Sequence, residues 1–353
     1  MKWTKLEHSN NQINKSGNIL INPDSTMGDT DRAMDILGNW RSAHSFPLHI
    51  FSVRLKRLAK QTDVSALVIR RLKRIPSIIR KLKRKQTDKM KMSRMQDVGG
   101  CRAVLSTIEK ANNLVQKYKK SRGLKHKLVN EKDYIKTPKS DGYRSMHLIY
   151  KYISDKNDVY NGLLIEIQIR TKLQHYWATA IETVDHFTRQ AIKSNEGERD
   201  WMNFFTLVSS AFANMENMPI VPTTPTNKNE LRKQIQALAK KLKVVKKMTE
   251  WTKIHRIIEN FEKESKDKYD FYLLNLNLTT KELSISAFKK SQEELATSEY
   301  SKAEEIMIKN NEDRDIVLVS ADTTKELRKA YPNYFLDTKE FIIKLNEYFK
   351  ENK

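Results

Sequence analysis

One stretch near the middle of the chain reads Leu164-Ile165-Glu166-Ile167-Gln168-Ile169-Arg170. Isoleucine occupies every second position, and charged or amide side chains occupy most of the positions between. Because successive side chains of a β-strand point to opposite faces, this pattern predicts a strand with one apolar and one polar face. The polar face either meets solvent or lines a site, and this stretch alone leaves both interpretations open.

Neighbouring segments have the patterns of further strands and helices. Strands are predicted at 99–105, 125–131, 144–153 and 162–170, and helices at 29–37, 47–58, 65–72, 77–85, 109–119, 171–193 and 198–215. Residues 1–27 are predicted to be a polar lead-in. The order of these elements predicts an α+β fold in which helices flank a mixed β-sheet.

A second, smaller domain is predicted after a linker at 217–227, which contains three prolines and no charged residue. Proline cannot continue the preceding helix, so the boundary is well marked. The predicted domains are therefore 1–216 and 228–353. Within the second, helices are expected at 228–247, 249–264 and 292–309, a hairpin at 272–287, and a strand at 316–320.

The chain has 353 residues and a formal net charge of +23. Residues 225–353 hold 26 Lys and Arg against 22 Asp and Glu, so most of the excess lies in the first domain. Such a charge favours a polyanionic partner. A single cysteine, Cys101, permits no disulfide within the chain, and no stretch is long and apolar enough for a signal peptide or a membrane span. A cytoplasmic protein is expected.

Two carboxylates are candidates for a metal site. Asp97 precedes Gly99-Gly100, where small residues let a ligand approach the backbone, and Glu166 lies on the polar face of the strand described above. Mg²⁺ usually binds one or two carboxylates together with phosphate oxygens. The alternative for Asp97 is a turn residue before a strand, and for Glu166 a solvent-facing position.

Three sequence blocks, at 94–102, at 132–135 with 138–147, and at 166–171 with 174–178, occur in the order and spacing of the synthetase domain of RelA/SpoT proteins, which the chain resembles. That family transfers pyrophosphate from ATP to the 3′-hydroxyl of a nucleotide. The resemblance implies that Asp97 and Glu166 hold Mg²⁺ and that Glu166 accepts the proton of the attacking hydroxyl. Asp97 and Glu166 are thus the predicted catalytic residues.

The same resemblance implies the positions of the two substrates. Arg71 and Arg102 would stack on the adenine of ATP, and the remaining residues of the ATP site would be Lys73, Ser77, Lys81 and Arg84. Tyr143 would stack on the base of the acceptor, with further acceptor contacts from Lys139, His147, Gln168 and Arg170. The alternative for the basic segment is a solvated helix face, and for His147 a structural histidine.

The layout of the whole chain resembles the CapRel group, in which a RelA/SpoT-type toxin domain is fused to its antitoxin. This implies a C-terminal α/β domain that is zinc-finger-like but lacks metal ligands, and an autoinhibitory Tyr331-x-x-Tyr334 motif that occludes the ATP site. It also implies pyrophosphate transfer to the 3′ end of tRNA. Release would follow binding of a phage protein, typically the major capsid protein. The alternative for Tyr331 and Tyr334 is two core aromatics at a helix end.

Three functions therefore remain. The first is an autoinhibited enzyme acting on tRNA, and the second is a synthetase that modifies GDP or GTP. The alarmone synthetases usually have a histidine after the glutamate that here is Glu182, and Thr183 in its place disfavours the second. The third is an RNA-binding or phage-sensing module without catalysis, which the presence of Asp97 and Glu166 opposes.

Overall fold

A computed structural model describes residues 3–84, 90–121, 123, 125–188, 199–254, 256–260, 269–310, 312–321, 323–335 and 338–350. The helices of the first half are α1 (Asn10–Ile19), α2 (Met27–Ala43), α3 (Ser45–Thr62), α4 (Ile75–Arg84), α5 (Ile108–Lys119), α6 (Lys172–Thr188) and α7 (Arg199–Met215). Those of the second half are α8 (Lys228–Lys241), α9 (Val244–Ile254), α10 (Glu293–Lys309), α11 (Thr324–Ala330) and α12 (Lys339–Lys350).

The first half contains a five-stranded mixed sheet. Its strands are β1 (Leu67–Leu72), β2 (Gly99–Leu105), β3 (Lys127–Asp133), β4 (Met146–Lys151) and β5 (Leu164–Thr171). Their spatial order is β1-β2-β5-β4-β3, and only the β2–β5 pair is parallel. This mixed sheet, flanked by helices, confirms the predicted α+β fold class.

The alternation of β5 is confirmed. Ile165, Ile167 and Ile169 are all fully buried in one hydrophobic core, against which α3 and α5 pack. The opposite face of β5 carries Glu166 and Gln168, which are only partly buried. One face of the sheet is thus the core, and the other is free to line a site.

The second half contains a four-stranded sheet, ordered β6-β8-β7-β9. Its strands are β6 (Arg256–Asn260), β7 (Phe271–Asn277), β8 (Glu282–Phe288) and β9 (Arg314–Ser320). The predicted hairpin is confirmed as the antiparallel pair β7–β8. Among the described residues, no group of three or more His, Cys, Asp or Glu side chains is placed to hold a metal ion. Nor does any helix in those parts of the chain combine the length and hydropathy that crossing a membrane requires.

The predicted helix at 65–72 is wrong, because residues 67–72 form strand β1. Val68 and Ile69 are β-branched residues, which favour strands, and β1 pairs with β2 along its whole length. The predicted helix at 249–264 is also wrong in part. Helix α9 ends at Ile254 and residues 256–260 form β6, while 255 and 261–264 lie outside the described residues.

Two further differences concern helix boundaries. The polar lead-in contains α1, which a capping box between Ser9 and Gln12 begins and a buried Ile13 anchors. The predicted helix at 228–247 is two helices, because Lys243 has a φ of 53° between α8 and α9. A non-glycine residue with positive φ interrupts helical hydrogen bonding.

The two halves pack against each other extensively. The 217–227 segment is docked on α7, where Ser210 Oγ accepts a hydrogen bond from the Val221 amide at 3.0 Å. Helix α8 packs on α7, and α12 returns to pack on α6 and α7, burying Phe341 and Leu345 in the same cluster as Phe205. On the other side of the molecule, β9 and α11 contact β1.

Candidate active site

A cavity of about 500 Å³ lies on the polar face of the five-stranded sheet. The structure brings every predicted catalytic, ATP-site and acceptor-site residue to its wall, as well as the first tyrosine of the C-terminal motif. These lining residues are Arg71, Lys73, Ser77, Lys81, Arg84, Asp97, Arg102, Lys139, Tyr143, His147, Glu166, Gln168, Arg170 and Tyr331.

The register of the sheet explains this convergence. One row of directly paired residues crosses all five strands and consists of Ile69, Arg102, Gln168, His147 and Lys132. The next row places Arg71, Gly100 and Glu166 side by side. Because paired residues share a face, residues distant in sequence are presented to the same cavity.

Asp97 is held by two lysines. Lys73 Nζ lies 2.9 Å from Oδ2 of Asp97, and Lys81 Nζ lies 2.9 Å from Oδ1. Burial alone would raise the pKa of Asp97, but the two ammonium groups outweigh it and lower the pKa to about 2. Asp97 is therefore ionised at neutral pH, and in the absence of substrate its charge is compensated within the site.

Glu166 is held by a different set of neighbours. His147 Nδ1 lies 2.9 Å from Oε1 of Glu166, and Gln168 Nε2 donates to Oε2 at 2.7 Å. Arg102 Nε in turn donates to Gln168 Oε1 at 3.0 Å. Burial raises the pKa of Glu166, but the interactions with His147 and Gln168 leave it below its usual value. A carboxylate fixed in this way presents its charge to the cavity.

The acceptor side is built on a tight turn before β4. Gly142 has a φ of +87°, and a Cβ there would lie 3.0 Å from both Ser209 and Trp177, so only glycine fits. Asp141 Oδ1 accepts the Tyr143 amide at 2.8 Å. The Tyr143 hydroxyl lies 2.9 Å from His147 Nε2, which is consistent with donation to the unprotonated nitrogen. His147 therefore links Tyr143 to Glu166.

The tyrosines of the C-terminal motif have different surroundings. Tyr331 lines the cavity, is 2 % exposed, and donates its hydroxyl to the Arg70 carbonyl at 3.2 Å. Burial raises the pKa of Tyr331 to about 12, partly offset by nearby Arg71 and Arg102. Tyr331 thus lies beside both arginines predicted to stack on adenine.

Tyr334 does not line the cavity. Its ring packs in an apolar cluster with Ile69 and Leu327, and its hydroxyl donates to Asp315 Oδ1 at 2.7 Å. Burial raises the pKa of Tyr334 to about 12, and nearby Arg74 and Arg71 lower it in part. Tyr334 therefore lies near one of the two arginines predicted to stack on adenine, and its role in occluding the ATP site stays a prediction.

Sequence reasoning missed several lining residues. Lys132 lies in the row of paired residues that contains His147 and Gln168. Asn130 and Lys132 are two positions apart on one strand and so share a face, which is a sequence signal that could have identified Lys132. Tyr134 lies edge-on to Tyr143 and His147, with ring centroids 6.0 and 5.4 Å away. Lys139 Nζ lies 4.8 Å from the centroid of the Tyr134 ring. Tyr134 therefore contacts three of the residues predicted to bind the acceptor.

The donor set suits a magnesium ion that arrives with phosphates. Asp97 and Glu166 are both ionised and line one cavity, and Mg²⁺ commonly uses one or two carboxylates plus substrate phosphate oxygens. The described residues offer no third acidic, His or Cys ligand that would build a site made of protein alone. Phosphate oxygens would therefore complete the coordination.

Comparison with known proteins places this site in a recognised region. Residues 70–188 match the family model described as a region found in RelA / SpoT proteins. Two curated relatives come from Bacillus subtilis. The GTP pyrophosphokinase YwaC is 38% identical over 112 residues, which are 31% of this chain and 52% of that protein. The GTP pyrophosphokinase YjbM is 31% identical over 116 residues, which are 33% of this chain and 54% of that protein.

The chain thus spans about half the length of the curated relatives it matches. Among solved structures, the small alarmone synthetase 1 of Bacillus subtilis bound to its product pppGpp is 25% identical, with a TM-score of 0.43 over 50% of this chain and 90% of that one. A GTP pyrophosphokinase family protein from Streptococcus pneumoniae is 24% identical, with a TM-score of 0.39 over 48% and 83%. The match at residues 70–188 covers the end of β1 and all of β2 to β5, and it includes every predicted catalytic, ATP-site and acceptor-site residue.

Proposed function

We propose that this protein is an ATP-dependent pyrophosphotransferase of the RelA/SpoT type. The observation that carries the proposal is the single cavity in which Asp97, Glu166 and a set of cations meet. Pyrophosphoryl transfer concentrates negative charge, and a site that performs it must supply cations and metal-binding carboxylates in fixed positions. The match of residues 70–188 to the RelA/SpoT region supports the same activity.

We expect ATP, the pyrophosphate donor, to bind along the basic wall of the cavity. Arg71 and Arg102 are planar cations suited to stacking on adenine. Lys73 and Lys81, which hold Asp97 in the substrate-free site, are placed to exchange that carboxylate for ATP phosphates. Ser77 and Arg84 lie on α4 with Lys81 and also line the cavity. Asp97 and Glu166 would hold Mg²⁺ together with the phosphates of ATP, and the ion would stabilise the negative charge on the transferred group.

On the acceptor side, Tyr143 stacks on the terminal base, and Lys139 and Lys132 face its phosphates. Glu166, held in place by His147 and Gln168, accepts the proton of the attacking 3′-hydroxyl. The hydroxyl oxygen bonds to the β-phosphorus of ATP, and the bond from that phosphorus to the oxygen bridging it to the α-phosphorus breaks. AMP leaves, and the acceptor carries the pyrophosphate.

The proposed acceptor is the 3′ end of tRNA. The supporting observation is charge, since most of the net +23 lies in residues 1–224, and a phosphate backbone is attracted to such a surface. Thr183, in place of the histidine usual in alarmone synthetases, supports the same choice. Pyrophosphate on the terminal 3′-hydroxyl would prevent aminoacylation and so stop translation.

A second candidate acceptor is GDP or GTP. The observation that favours it is the similarity of the central region to two proteins named GTP pyrophosphokinase. The two candidates share the donor side and the catalytic carboxylates. They differ only in what stacks on Tyr143 and what the surrounding basic surface contacts.

We further propose that the protein is an autoinhibited toxin of the CapRel type. Tyr331 lies beside Arg71 and Arg102, where adenine is expected, so the closed chain excludes ATP. A phage protein, the major capsid protein by resemblance, would bind the C-terminal half and favour the open state. Leu295 and Ile306 on α10 are 49 % and 54 % exposed and offer apolar contacts for such a partner. A ligand shifts this equilibrium only by its differential affinity for the two states.

One labelling experiment tests the acceptor and the trigger together. The full chain, with ATP labelled on the β- and γ-phosphates, is incubated with tRNA or with guanine nucleotides, with and without purified capsid protein. Label in tRNA, increased by the capsid protein, is the expected result. Label in GDP or GTP alone would select the second candidate, and no transfer to either under all conditions would overturn the proposed activity.

The acceptor role of Tyr143 gives a separate prediction. Tyr143→Ala is expected to leave ATP binding unchanged and to lower transfer at subsaturating acceptor about tenfold to a hundredfold. Stacking of a base on an aromatic ring contributes about 1–3 kcal/mol, which corresponds to that loss. Tyr143→Phe is the matched control, because it keeps the ring and removes only the bond to His147. Equal rates for Tyr143→Ala and the unmodified chain would contradict the stacking role.

A further inference from the structure

Three carboxylates of the C-terminal half contact residues 70–75, which run from the second half of β1 to the first residue of α4. Glu293 Oε1 lies 3.4 Å from Arg70 Nη2, and Asp315 forms an ion pair with Arg74. Glu304 Oε1 accepts a hydrogen bond from the Ile75 amide at 3.2 Å. Glu293 and Glu304 lie on α10 and Asp315 lies on β9. Two elements of the C-terminal half therefore contact the same short segment of the first half.

Glu304 is the centre of these contacts. Its Oε2 lies 3.1 Å from Arg41 Nη2 in an ion pair whose side chains are only 1 % and 3 % exposed. Arg41 Nε donates to the Lys73 carbonyl at 2.6 Å, and Lys73 Nζ binds Asp97. Separating a buried ion pair leaves each charge without its partner, which is strongly unfavourable unless water reaches it. The pair therefore holds Glu304 and Arg41 together.

We infer that Glu293, Glu304 and Asp315 form a carboxylate latch that holds the ATP-binding segment in its closed arrangement. The latch rests on the proposed autoinhibition but is a contact separate from the Tyr331 ring. Tyr331 fills space beside the adenine arginines, whereas the latch supplies negative charge to the backbone and cations that lead into α4.

The position of Glu304 explains why the latch acts on the site. The Ile75 amide is the first N–H of α4, and the amino end of a helix attracts anions. ATP phosphates are expected on the same helix, at Ser77 and Lys81. The Glu304 carboxylate therefore supplies an anion to the first turn of α4 in the closed state, and this contact exists only while the C-terminal half packs on the first half. Opening must break this buried contact as well as withdraw Tyr331.

The test uses the full chain and α,β-methylene-ATP, an analogue whose α–β bridge does not break. Glu304→Gln keeps the shape of the side chain and an oxygen for the Ile75 amide but removes the charge facing Arg41. By calorimetry, this variant is expected to bind the analogue at least tenfold more tightly, which corresponds to about 1.4 kcal/mol. Hydrogen exchange of amides 70–75 is expected to speed up in parallel.

Glu299→Gln is the matched control, because Glu299 lies on the same helix and is paired with exposed Lys302. It is expected to leave affinity and exchange unchanged. If Glu304→Gln does not fold, as judged by its melting curve, Glu293→Gln carries the same test at the contact with Arg70. Asp315 is left unchanged in this test, because it also accepts the Tyr334 hydroxyl. Folded latch variants with unchanged affinity and exchange would overturn the inference.

A parallel measurement on Tyr331→Ala separates this failure from failure of the proposed function. If Tyr331→Ala binds the analogue more tightly and the latch variants do not, autoinhibition stands and the latch is wrong. If neither change affects affinity, the C-terminal half does not occlude the site and both ideas fail.

Discussion

A chain carrying Tyr331→Ala and Tyr334→Ala is expected to bind ATP about 100-fold more tightly than the unmodified chain and to arrest the growth of its host. The Tyr331 ring lies beside Arg71 and Arg102, and Tyr334 holds it there through Asp315 and the apolar cluster behind it. The apparent affinity for ATP equals the affinity of the open state multiplied by the fraction of chains that are open. If about 1% of the chains are open, releasing the plug therefore raises the apparent affinity about 100-fold.

The affinity is measured by calorimetry with α,β-methylene-ATP, and toxicity by growth after induced expression. The double Tyr→Phe variant is the control, because it keeps both rings but removes the hydroxyl bonds to the Arg70 carbonyl and Asp315. It is expected to remain closer to the unmodified chain than the double alanine variant. A folded, well-expressed alanine variant that is harmless and has unchanged ATP affinity would return both tyrosines to a purely structural role.

Asp97→Asn or Glu166→Gln, added to the double alanine chain, is expected to lower transfer by about 10³-fold or more and to abolish toxicity. Each change removes a charge that would face Mg²⁺ while changing side-chain volume little. Loss of a single preorganised electrostatic contact at a reacting centre costs about 10²–10³-fold, and loss of a metal ligand adds to it. The readout is label transferred from ATP to the acceptor.

Binding of the ATP analogue distinguishes this loss from unfolding. In Asp97→Asn, Lys73 and Lys81 no longer face a carboxylate, so metal-free analogue binding is expected to be kept or strengthened while transfer is lost. Asp155→Asn is a suitable control, because the Asp155 side chain is 80 % exposed and pairs with surface Lys125. Transfer that survives in both Asp97→Asn and Glu166→Gln would remove the proposed mechanism.

The site was largely predictable because its residues belong to short local motifs. The alternation of β5 predicts that Glu166 and Gln168 share a face, and the structure confirms this through their hydrogen bond. Local pattern could not give the register that aligns Arg102, Gln168 and His147, because register depends on pairing between distant strands. For the same reason His147, which alone suggests a structural histidine, was not linked in advance to both Tyr143 and Glu166.

The wrong prediction at β1 and the unpredicted contact between Arg41 and Glu304 have one physical cause. Residues 65–72 are compatible with a helix by spacing, and only pairing with β2 makes 67–72 a strand. Arg41 and Glu304 are 263 positions apart in the chain, and neither has a local sequence signal for burial. Contacts of this kind depend on tertiary packing, which overrides local propensity.

The return of α12 to the first half of the chain has a consequence for the proposed autoinhibition. Residues 217–227 are docked on α7 at one end, and Phe341 and Leu345 are buried in the cluster with Phe205 at the other, so the C-terminal half is attached at both of its ends. Under the proposed autoinhibition, opening would be a rearrangement within one chain. Its rate and its reversal are expected not to depend on protein concentration, so one molecule would close again without a second protein after the proposed trigger dissociates.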